Sequence, residues 1–162
     1  MPLSIQNAKK EKMVDTKSLK KFVSRKKILI DSNIIIYLTE KIEPFYPLSR
    51  ELFHLVEEGH SEAIVSILTV AEVMQGPVKA NEIDIALAVK NYLLNFPNCN
   101  CQQITFDVLD HVGKDPRINW QTLRTVDSLI IASGIEANVD LFISNDRHFI
   151  KSLPPEMLLS FA

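Results

Sequence analysis

The stretch KILIDSNIIIYL, residues 27–38, places one carboxylate, Asp31, in the middle of an apolar run. Its first five residues, KILID, are continuously apolar between charged ends, which is typical of a strand buried on both faces of a parallel sheet. Burying an unpaired charge costs on the order of several kcal/mol, so such a carboxylate is normally paired, capped or bound to a ligand. The stretch therefore predicts a buried first strand, and the function depends on what stands beside Asp31.

Downstream of this stretch, short apolar runs alternate with patterns of helical periodicity. The first strand is followed by a helix to about residue 40, and Thr69 is predicted to open a helix that Gly76-Pro77 stops. The remaining strands are predicted at 63–68, 99–105, 140–144 and, more weakly, 157–161, and the remaining helices at 49–59, 82–95, 106–113 and 125–139. Strands separated by helices require crossover connections, so the pattern predicts an α/β fold with a parallel sheet covered on both faces.

The bulk composition is that of an ordinary globular domain. The chain has 162 residues, 46% of them hydrophobic and 23% charged, and this length is typical of one domain. No apolar run approaches the roughly 20 residues of a membrane helix, and no apolar segment follows Lys9, Lys10 and Lys12 as in a secretory signal. Cys99 and Cys101 are interpreted as strand thiols, because a lone C-x-C lacks the further ligands of a zinc site. We therefore expect a cytoplasmic protein without membrane contact.

The charges are distributed unevenly along the chain. The first 27 residues hold nine Lys and Arg against two acidic residues, whereas the rest hold nine against eighteen. We divide the chain into a basic N-terminal extension, 1–26, and a domain, 27–162. Two interpretations of the extension stay open: it binds nucleic-acid phosphates, or it is a flexible, solvated terminus. A short docked helix is also allowed by the i, i+3, i+4 spacing of Leu19, Phe22 and Val23.

Four acidic residues fall at strand ends or helix starts. Asp31 ends the first strand, and Glu72 lies in the first turn of the helix after the second strand. Asp127 opens the helix before the fourth strand, and Asp146 follows that strand. Functional groups of parallel α/β sheets gather beyond the carboxyl ends of the strands. The topology therefore brings three of these acids to one edge, and Asp127 joins them if its helix starts there.

Each acid also has a purely structural interpretation. Glu72 completes a capping box with Thr69, Asp127 suits a helix macrodipole, and Asp146 suits a turn. Asp31 suits hydrogen bonding to the amides of the following helix. Clustered carboxylates repel one another, and a divalent cation removes that penalty. Oxygen ligands without His or Cys favour Mg²⁺ or Mn²⁺, and a pair of such ions can activate water for in-line displacement at a phosphodiester.

These segments resemble the PIN domain family, in particular its small bacterial and archaeal members such as VapC-like toxins. The family's four acidic positions correspond in order and spacing to Asp31 in ILIDSNIIIYL, Glu72 in SILTVAEVMQG, Asp127 in TVDSLIIASGIEANV and Asp146 in LFISNDRHF. The resemblance covers residues 27–160. It implies a three-layer α/β/α fold with a central, mainly parallel sheet of four to five strands, and a Mg²⁺- or Mn²⁺-dependent ribonuclease.

The resemblance also implies roles for individual residues. Asp31, Glu72 and Asp127 would be catalytic metal ligands, and Asp146 would be a further ligand or the close neighbour of one. Two more residues correspond to polar family positions beside these acids: Asn33 and Ser144.

The resemblance further implies RNA as the substrate, an antitoxin protein as a partner, and a homodimer. Small toxins of the family place the first aspartate within a few residues of the start, whereas here it is residue 31. A stand-alone nuclease is therefore kept beside the toxin hypothesis. A further alternative is a non-catalytic RNA-binding or regulatory module that retains the fold.

Three other residues near the predicted site carry hypotheses of their own. Arg124 and Arg147 either hold a substrate phosphate or form ion pairs with the surplus acids, and His148 is expected to cap or pack. Nucleotide-binding loops are excluded, because neither G-x-x-x-x-G-K-[ST] nor G-x-G-x-x-G occurs. A phosphatase with an aspartyl nucleophile usually has a second aspartate two residues on, where this chain has Asn33.

Overall fold

The apolar run at 27–30 forms the middle strand of a five-stranded sheet. The computed structural model describes residues 13–162. In chain order the elements are α1 (Thr16–Val23), β1 (Lys27–Ile30), α2 (Ser32–Thr39), α3 (Tyr46–Glu57), β2 (Glu62–Ser66), α4 (Ile67–Lys79), α5 (Ile83–Leu94), β3 (Cys99–Gln102), α6 (Phe106–His111), α7 (Thr125–Glu136), β4 (Leu141–Ile143), α8 (Arg147–Ser152) and β5 (Leu158–Leu159), with short 3₁₀ turns at Trp120–Thr122 and Pro155–Met157.

The strands lie in the order β3-β2-β1-β4-β5, and every neighbouring pair is parallel. Leu29 in β1 is opposite Ile64 on one side and Phe142 on the other. The predicted parallel sheet is thereby confirmed. Because all strands run the same way, their carboxyl ends share one edge, and the chain leaves β1 and β4 side by side at that edge.

Helices cover both faces of the sheet, as the three-layer prediction requires. Successive β1 residues point to opposite faces: Ile28 and Ile30 belong to one apolar cluster and Leu29 to the other. The first cluster contains buried side chains from α1 to α5, and the second contains Ile130 of α7 and Phe149 of α8. Between residues 13 and 162, no helix has both the length and the apolar character needed to cross a membrane.

The helix that carries Glu72 starts earlier and ends later than predicted. Ser66, not Thr69, is the N-cap of α4, and its hydroxyl accepts a hydrogen bond from the backbone N–H of Leu68 at 3.3 Å. Pro77 lies inside the helix instead of stopping it. Pro77 has no N–H to donate to the carbonyl of Val73, so the helix lacks one backbone hydrogen bond there, and it ends two residues later at Lys79. Glu72 therefore sits in the second turn, and the capping box with Thr69 was a wrong prediction.

A helix precedes the first strand, within the segment assigned to the basic extension. Leu19 and Val23 of α1 are fully buried and belong to the same apolar cluster as the sheet, whereas Phe22 is 47% exposed. The carbonyl oxygen of Val23 accepts a hydrogen bond from the buried hydroxyl of Ser61 at 2.7 Å. The docked helix allowed by the spacing is thus present. The lysines at 9, 10 and 12 lie outside the described residues.

Helix α7, which carries Asp127, packs closely against the sheet at Gly134. A Cβ atom added there would lie 2.5 and 2.7 Å from Cε1 and Cζ of Phe142 and 3.1 Å from Cδ1 of Leu29. Both neighbouring side chains are buried in the core. The absence of a side chain at Gly134 therefore allows α7 to lie this close to the sheet.

Replacing Leu19 tests whether α1 belongs to the domain. Leu19→Ala is expected to lower the free energy of unfolding by about 2–5 kcal/mol, because it leaves a cavity in the shared core. Phe22→Ala, on the exposed side of the same helix, is the matched control and is expected to change it by less than about 0.5 kcal/mol. Urea unfolding measures both. Equally small effects would show that residues 1–26 form a separate extension.

Replacing Gly134 tests the close approach of α7. Gly134→Ala is expected to lower the free energy of unfolding by about 1–3 kcal/mol through overpacking, although alanine favours helix by about 1 kcal/mol. Gly76→Ala is the control within α4, where a Cβ would lie 3.7 Å from Oε1 of Glu40, an ordinary contact. Its effect is expected to be near zero, because the gain in helix propensity from alanine is offset by Pro77, which disfavours the helical conformation of the residue before it. Chemical denaturation compares the two variants, and stabilisation by Gly134→Ala would contradict the close packing of α7 against the sheet.

Candidate active site

The four acids of the sequence prediction converge at the carboxyl edge of the sheet. Asp31 directly follows β1, and Asp146 lies three residues beyond the end of the neighbouring β4. Asp127 lies in the first turn of α7, and Glu72 faces them from α4, close enough that Asp31 and Asp127 both raise its pKa. Asp127 therefore does join the other three acids.

Asp31 is 3% exposed and is the N-cap of α2. Its Oδ1 accepts a hydrogen bond from the backbone N–H of Ser32 at 2.8 Å. Its Oδ2 accepts hydrogen bonds from the side-chain amide of Asn33 at 3.0 Å and from the hydroxyl of Ser144 at 2.7 Å. The hydrogen bond that was expected between Asp31 and the amides of the following helix is therefore present. Burial still raises the pKa of Asp31, followed by smaller effects from Asp146 and Asp127.

Asn33 and Ser144 connect Asp31 to Asp146. The Asn33 amide also donates to the Ser144 hydroxyl at 3.2 Å, and its Oδ1 accepts from the backbone N–H of Asn145 at 3.0 Å. The Ser144 hydroxyl in turn accepts from the backbone N–H of Asp146 at 3.0 Å. These bonds tie the chain after β1 to the chain after β4, and they fix the positions of both acids.

Asp127 is paired with Arg124, which lies one helical turn before it. The guanidinium donates from Nε to Oδ2 at 2.8 Å and from one terminal nitrogen, Nη2, to Oδ1 at 3.0 Å. The same Nη2 donates to Oδ2 of Asp146 at 3.4 Å. Of the two hypotheses for Arg124, the ion pair with the surplus acids describes this structure. The bidentate pairing was not predicted, although the i, i+3 spacing of Arg124 and Asp127 at a helix start was a signal for it.

Asp146 is the N-cap of α8 and also holds His148. Its Oδ1 accepts from the backbone N–H of His148 at 2.7 Å and contacts Nδ1 of the same residue at 2.9 Å. His148 therefore takes part in the cap, as expected. Arg147 is exposed at the start of the same helix and forms no ion pair with any residue between 13 and 162.

Glu72 is the acid without a full set of partners. Its Oε1 is buried and finds no hydrogen-bond donor among the described residues. Burial, followed by the charges of Asp31 and Asp127, raises the pKa of Glu72 from 4.5 to about 7. A buried polar atom without a partner is uncommon in native structures and points to a missing ion, water or ligand.

The donor chemistry of these residues suits a hard divalent cation. All four side chains offer carboxylate oxygens, one of them unpartnered, and their mutual repulsion favours a cation between them. As the side chains stand, however, no three His, Cys, Asp or Glu residues within 13–162 are grouped so that they could hold a metal ion. Both oxygens of Asp127 are bound by Arg124, so the positive charge at this edge is a guanidinium.

The pKa of Glu72 has a consequence for stability without metal. A carboxyl with a raised folded-state pKa contributes its full stability below its unfolded pKa of about 4.5 and loses it as the pH rises through about 7. The free energy of unfolding of the wild type relative to Glu72→Gln is therefore expected to fall by about 1–2 kcal/mol across this range, a value reduced for the partial exposure of the group. Urea unfolding in EDTA at several pH values measures it. A difference independent of pH would contradict the assignment.

Comparisons with known proteins agree with this geometry. The sequence profile of the PIN domain matches residues 28–152, a span that includes all four acids. No curated protein sequence matches the chain.

Several solved structures share the fold. VapBC2 from Rickettsia felis, bound to a DNA fragment from its promoter, has a TM-score of 0.61 and 15% identity over 84% of this chain and 99% of that chain. DNA-bound VapBC from Salmonella typhimurium has a TM-score of 0.60 and 18% identity over 84% and 98%. VapC20 of Mycobacterium tuberculosis, a toxin that cleaves the sarcin–ricin loop, has a TM-score of 0.56 and 15% identity over 76% and 93%.

These structures establish the likeness of fold, and the family profile extends over most of the chain and over the sheet edge where the acids meet. On these grounds, the chain belongs to the PIN domain family.

Proposed function

We propose that this PIN domain protein is a metal-dependent endoribonuclease that hydrolyses phosphodiester bonds of RNA. The observation that carries the proposal is the meeting of four carboxylates at one sheet edge, with Oε1 of Glu72 left without a hydrogen-bond donor. Membership of the PIN domain family supports nuclease activity. RNA as the substrate is supported by the likeness to VapC20, which cleaves the sarcin–ricin loop.

The acids would hold the metal. Asp31, Glu72 and Asp127 are the proposed ligands of Mg²⁺ or Mn²⁺, and Asp146 is a fourth ligand or the neighbour of one. The ions would supply an activated water and would stabilise the leaving oxygen of the phosphodiester. The purely structural interpretations of these acids do not account for the unpartnered oxygen of Glu72.

The surrounding residues orient the acids and meet the substrate. Asn33 and Ser144 hold Oδ2 of Asp31 with two donated hydrogen bonds, so this carboxylate keeps one orientation. Glu72, whose pKa is about 7, exchanges its proton near neutral pH and so becomes a charged ligand at little cost. Arg147, which is exposed at the start of α8, and Arg124, which contacts Asp146, are the proposed ligands of a phosphate of the RNA backbone.

The fold comparisons also support partner proteins. The structures similar to this chain include VapBC complexes and a toxin–antitoxin complex from Klebsiella pneumoniae, with a TM-score of 0.57 and 19% identity over 83% of this chain. We therefore propose an antitoxin as a partner, and a homodimer as the functional unit. Free thiols at Cys99 and Cys101 are compatible with action in a reducing cytoplasm.

Cleavage of RNA by purified variants tests the proposal. Asp31→Asn and Asp127→Asn are each expected to reduce cleavage of total cellular RNA in Mn²⁺ by at least about 100-fold, because each removes a charged metal ligand. Asp110→Asn, an exposed carboxylate on α6, is the matched control and is expected to cleave like the wild type. EDTA is expected to abolish cleavage by the wild type. Thermal melting shows whether each variant is folded.

The outcomes separate the rival functions. Undiminished cleavage by both folded Asp→Asn variants would overturn the proposed site. Binding of RNA by the wild type without cleavage in excess Mn²⁺ would instead favour the non-catalytic RNA-binding module.

A further inference from the structure

We propose that Arg124 is an internal counter-cation: its guanidinium neutralises the carboxylate cluster in the metal-free protein, and metal binding must displace it. Arg124 thereby sets the metal affinity of the site. The inference rests on the proposed function, because it concerns the metal that the four acids would hold. It goes further by assigning to one residue of this chain the role of competitor for the cation position.

Arg124 makes several bonds to the acids. Its Nε and Nη2 atoms donate to the two different oxygens of Asp127, at 2.8 and 3.0 Å, and its backbone N–H adds a weaker bond to Oδ2 at 3.3 Å. Nη2 also contacts Oδ2 of Asp146 at 3.4 Å. One guanidinium thus bridges two of the proposed metal ligands, which is the position that a cation shared by them would take.

No lysine or other arginine among the described residues substitutes for Arg124 at the acids. Within residues 13–162, Arg124 is the one Lys or Arg that forms an ion pair with any of the four acids. The carboxylate of Asp127 is 3% exposed, so without a positive partner it would be a buried, uncompensated charge. The charge of Arg124 also lowers the pKa of Glu72, in opposition to burial and to the neighbouring acids. Its influence therefore extends to three of the four acids.

Arg124 is free to move away from the acids. Its side chain is 58% exposed, in contrast to the buried carboxylate that it holds. An exposed guanidinium on a long side chain can swing into water with its hydration restored, whereas Asp127 has no such route. Displacement therefore costs the ion pair but leaves no buried charge, provided that a metal ion takes the vacated place.

An alternative role for Arg124 is to position Asp127 as a metal ligand. The two roles predict opposite changes in metal affinity. A competitor lowers the affinity, so its removal strengthens metal binding. A positioning residue raises the affinity, so its removal weakens metal binding. The sign of the change decides between them, independently of any cleavage activity.

The experiment is a calorimetric titration of Mn²⁺ into metal-stripped, full-length protein. Arg124→Gln is expected to bind Mn²⁺ about tenfold more tightly than the wild type, the size of a partly exposed charged hydrogen-bonding pair. Arg147→Gln is the matched control, since it removes the same charge beside Asp146 without breaking an ion pair, and its affinity is expected to change by less than about threefold. Arg124→Lys, which keeps the charge but not the fork of donors, is expected to lie between the wild type and Arg124→Gln.

Thermal melting of the same proteins gives a second readout. Without metal, Arg124→Gln is expected to melt at a lower temperature than the wild type, because Asp127 loses its partner. In saturating Mn²⁺ this deficit is expected to disappear. A variant that fails to fold would show no cooperative melt, and Arg124→Lys then carries the comparison.

The outcomes distinguish this inference from the proposed function. Metal binding by the wild type with equal or weaker binding by Arg124→Gln would overturn the inference and leave the proposed function standing. Equal strengthening by Arg147→Gln would also overturn it, because the effect would then be a general one of charge. No Mn²⁺ binding by the wild type or any variant would overturn both.

Discussion

A carboxylate buried at the end of an apolar strand is the constraint on which the rest of this structure depends. Ile28, Leu29 and Ile30 are fully buried, so β1 carries Asp31 to a position that is 3% exposed. Its charge is tolerated because the start of α2 and the hydroxyl of Ser144 donate hydrogen bonds to it. Since Ser144 lies just after β4, the same bonds hold the ends of two neighbouring strands together, and the edge of the sheet is built around the carboxylate.

At each of the four acids, the cost of a buried negative charge is reduced in a different way. Asp31 is held by neutral donors, and Asp127 by the guanidinium of Arg124. Asp146 caps α8, where its Oδ1 accepts a hydrogen bond from the backbone N–H of His148 and contacts the imidazole of the same residue. Glu72 has no adequate partner for Oε1, and its pKa rises to about 7 instead. These arrangements differ in one respect. Of the groups named here, the proton on Glu72 and the guanidinium of Arg124 are the positive charges that can leave the acids.

Sequence periodicity predicted the strands, the parallel sheet and the convergence of the acids, because burial on two faces and strand direction leave direct traces in the pattern of apolar residues. It failed where a choice depends on tertiary contacts. Ser66 and Thr69 are both suitable caps for α4, and the end of β2 at Ser66 decides between them. Ion pairing and phosphate binding were equally open for Arg124, and the burial of Asp127, which no local pattern reveals, favours the ion pair. The chemical roles of the acids stay predictions.

The proton on Glu72 and the guanidinium of Arg124 together carry the same charge as one divalent metal ion. In the metal-free protein, below the pKa of Glu72, the four acids are partly neutralised by one proton on that residue and one guanidinium at Asp127, which together contribute two positive charges. A single Mg²⁺ or Mn²⁺ ion contributes the same two charges. Exchange of the proton and the guanidinium for the ion would leave the net charge of the buried edge unchanged, and Coulomb repulsion among the acids would be offset in both states. The donors to Asp31 are neutral and need not move in that exchange. Only the departing charges change place, so the same fold can hold this acidic edge with or without its metal.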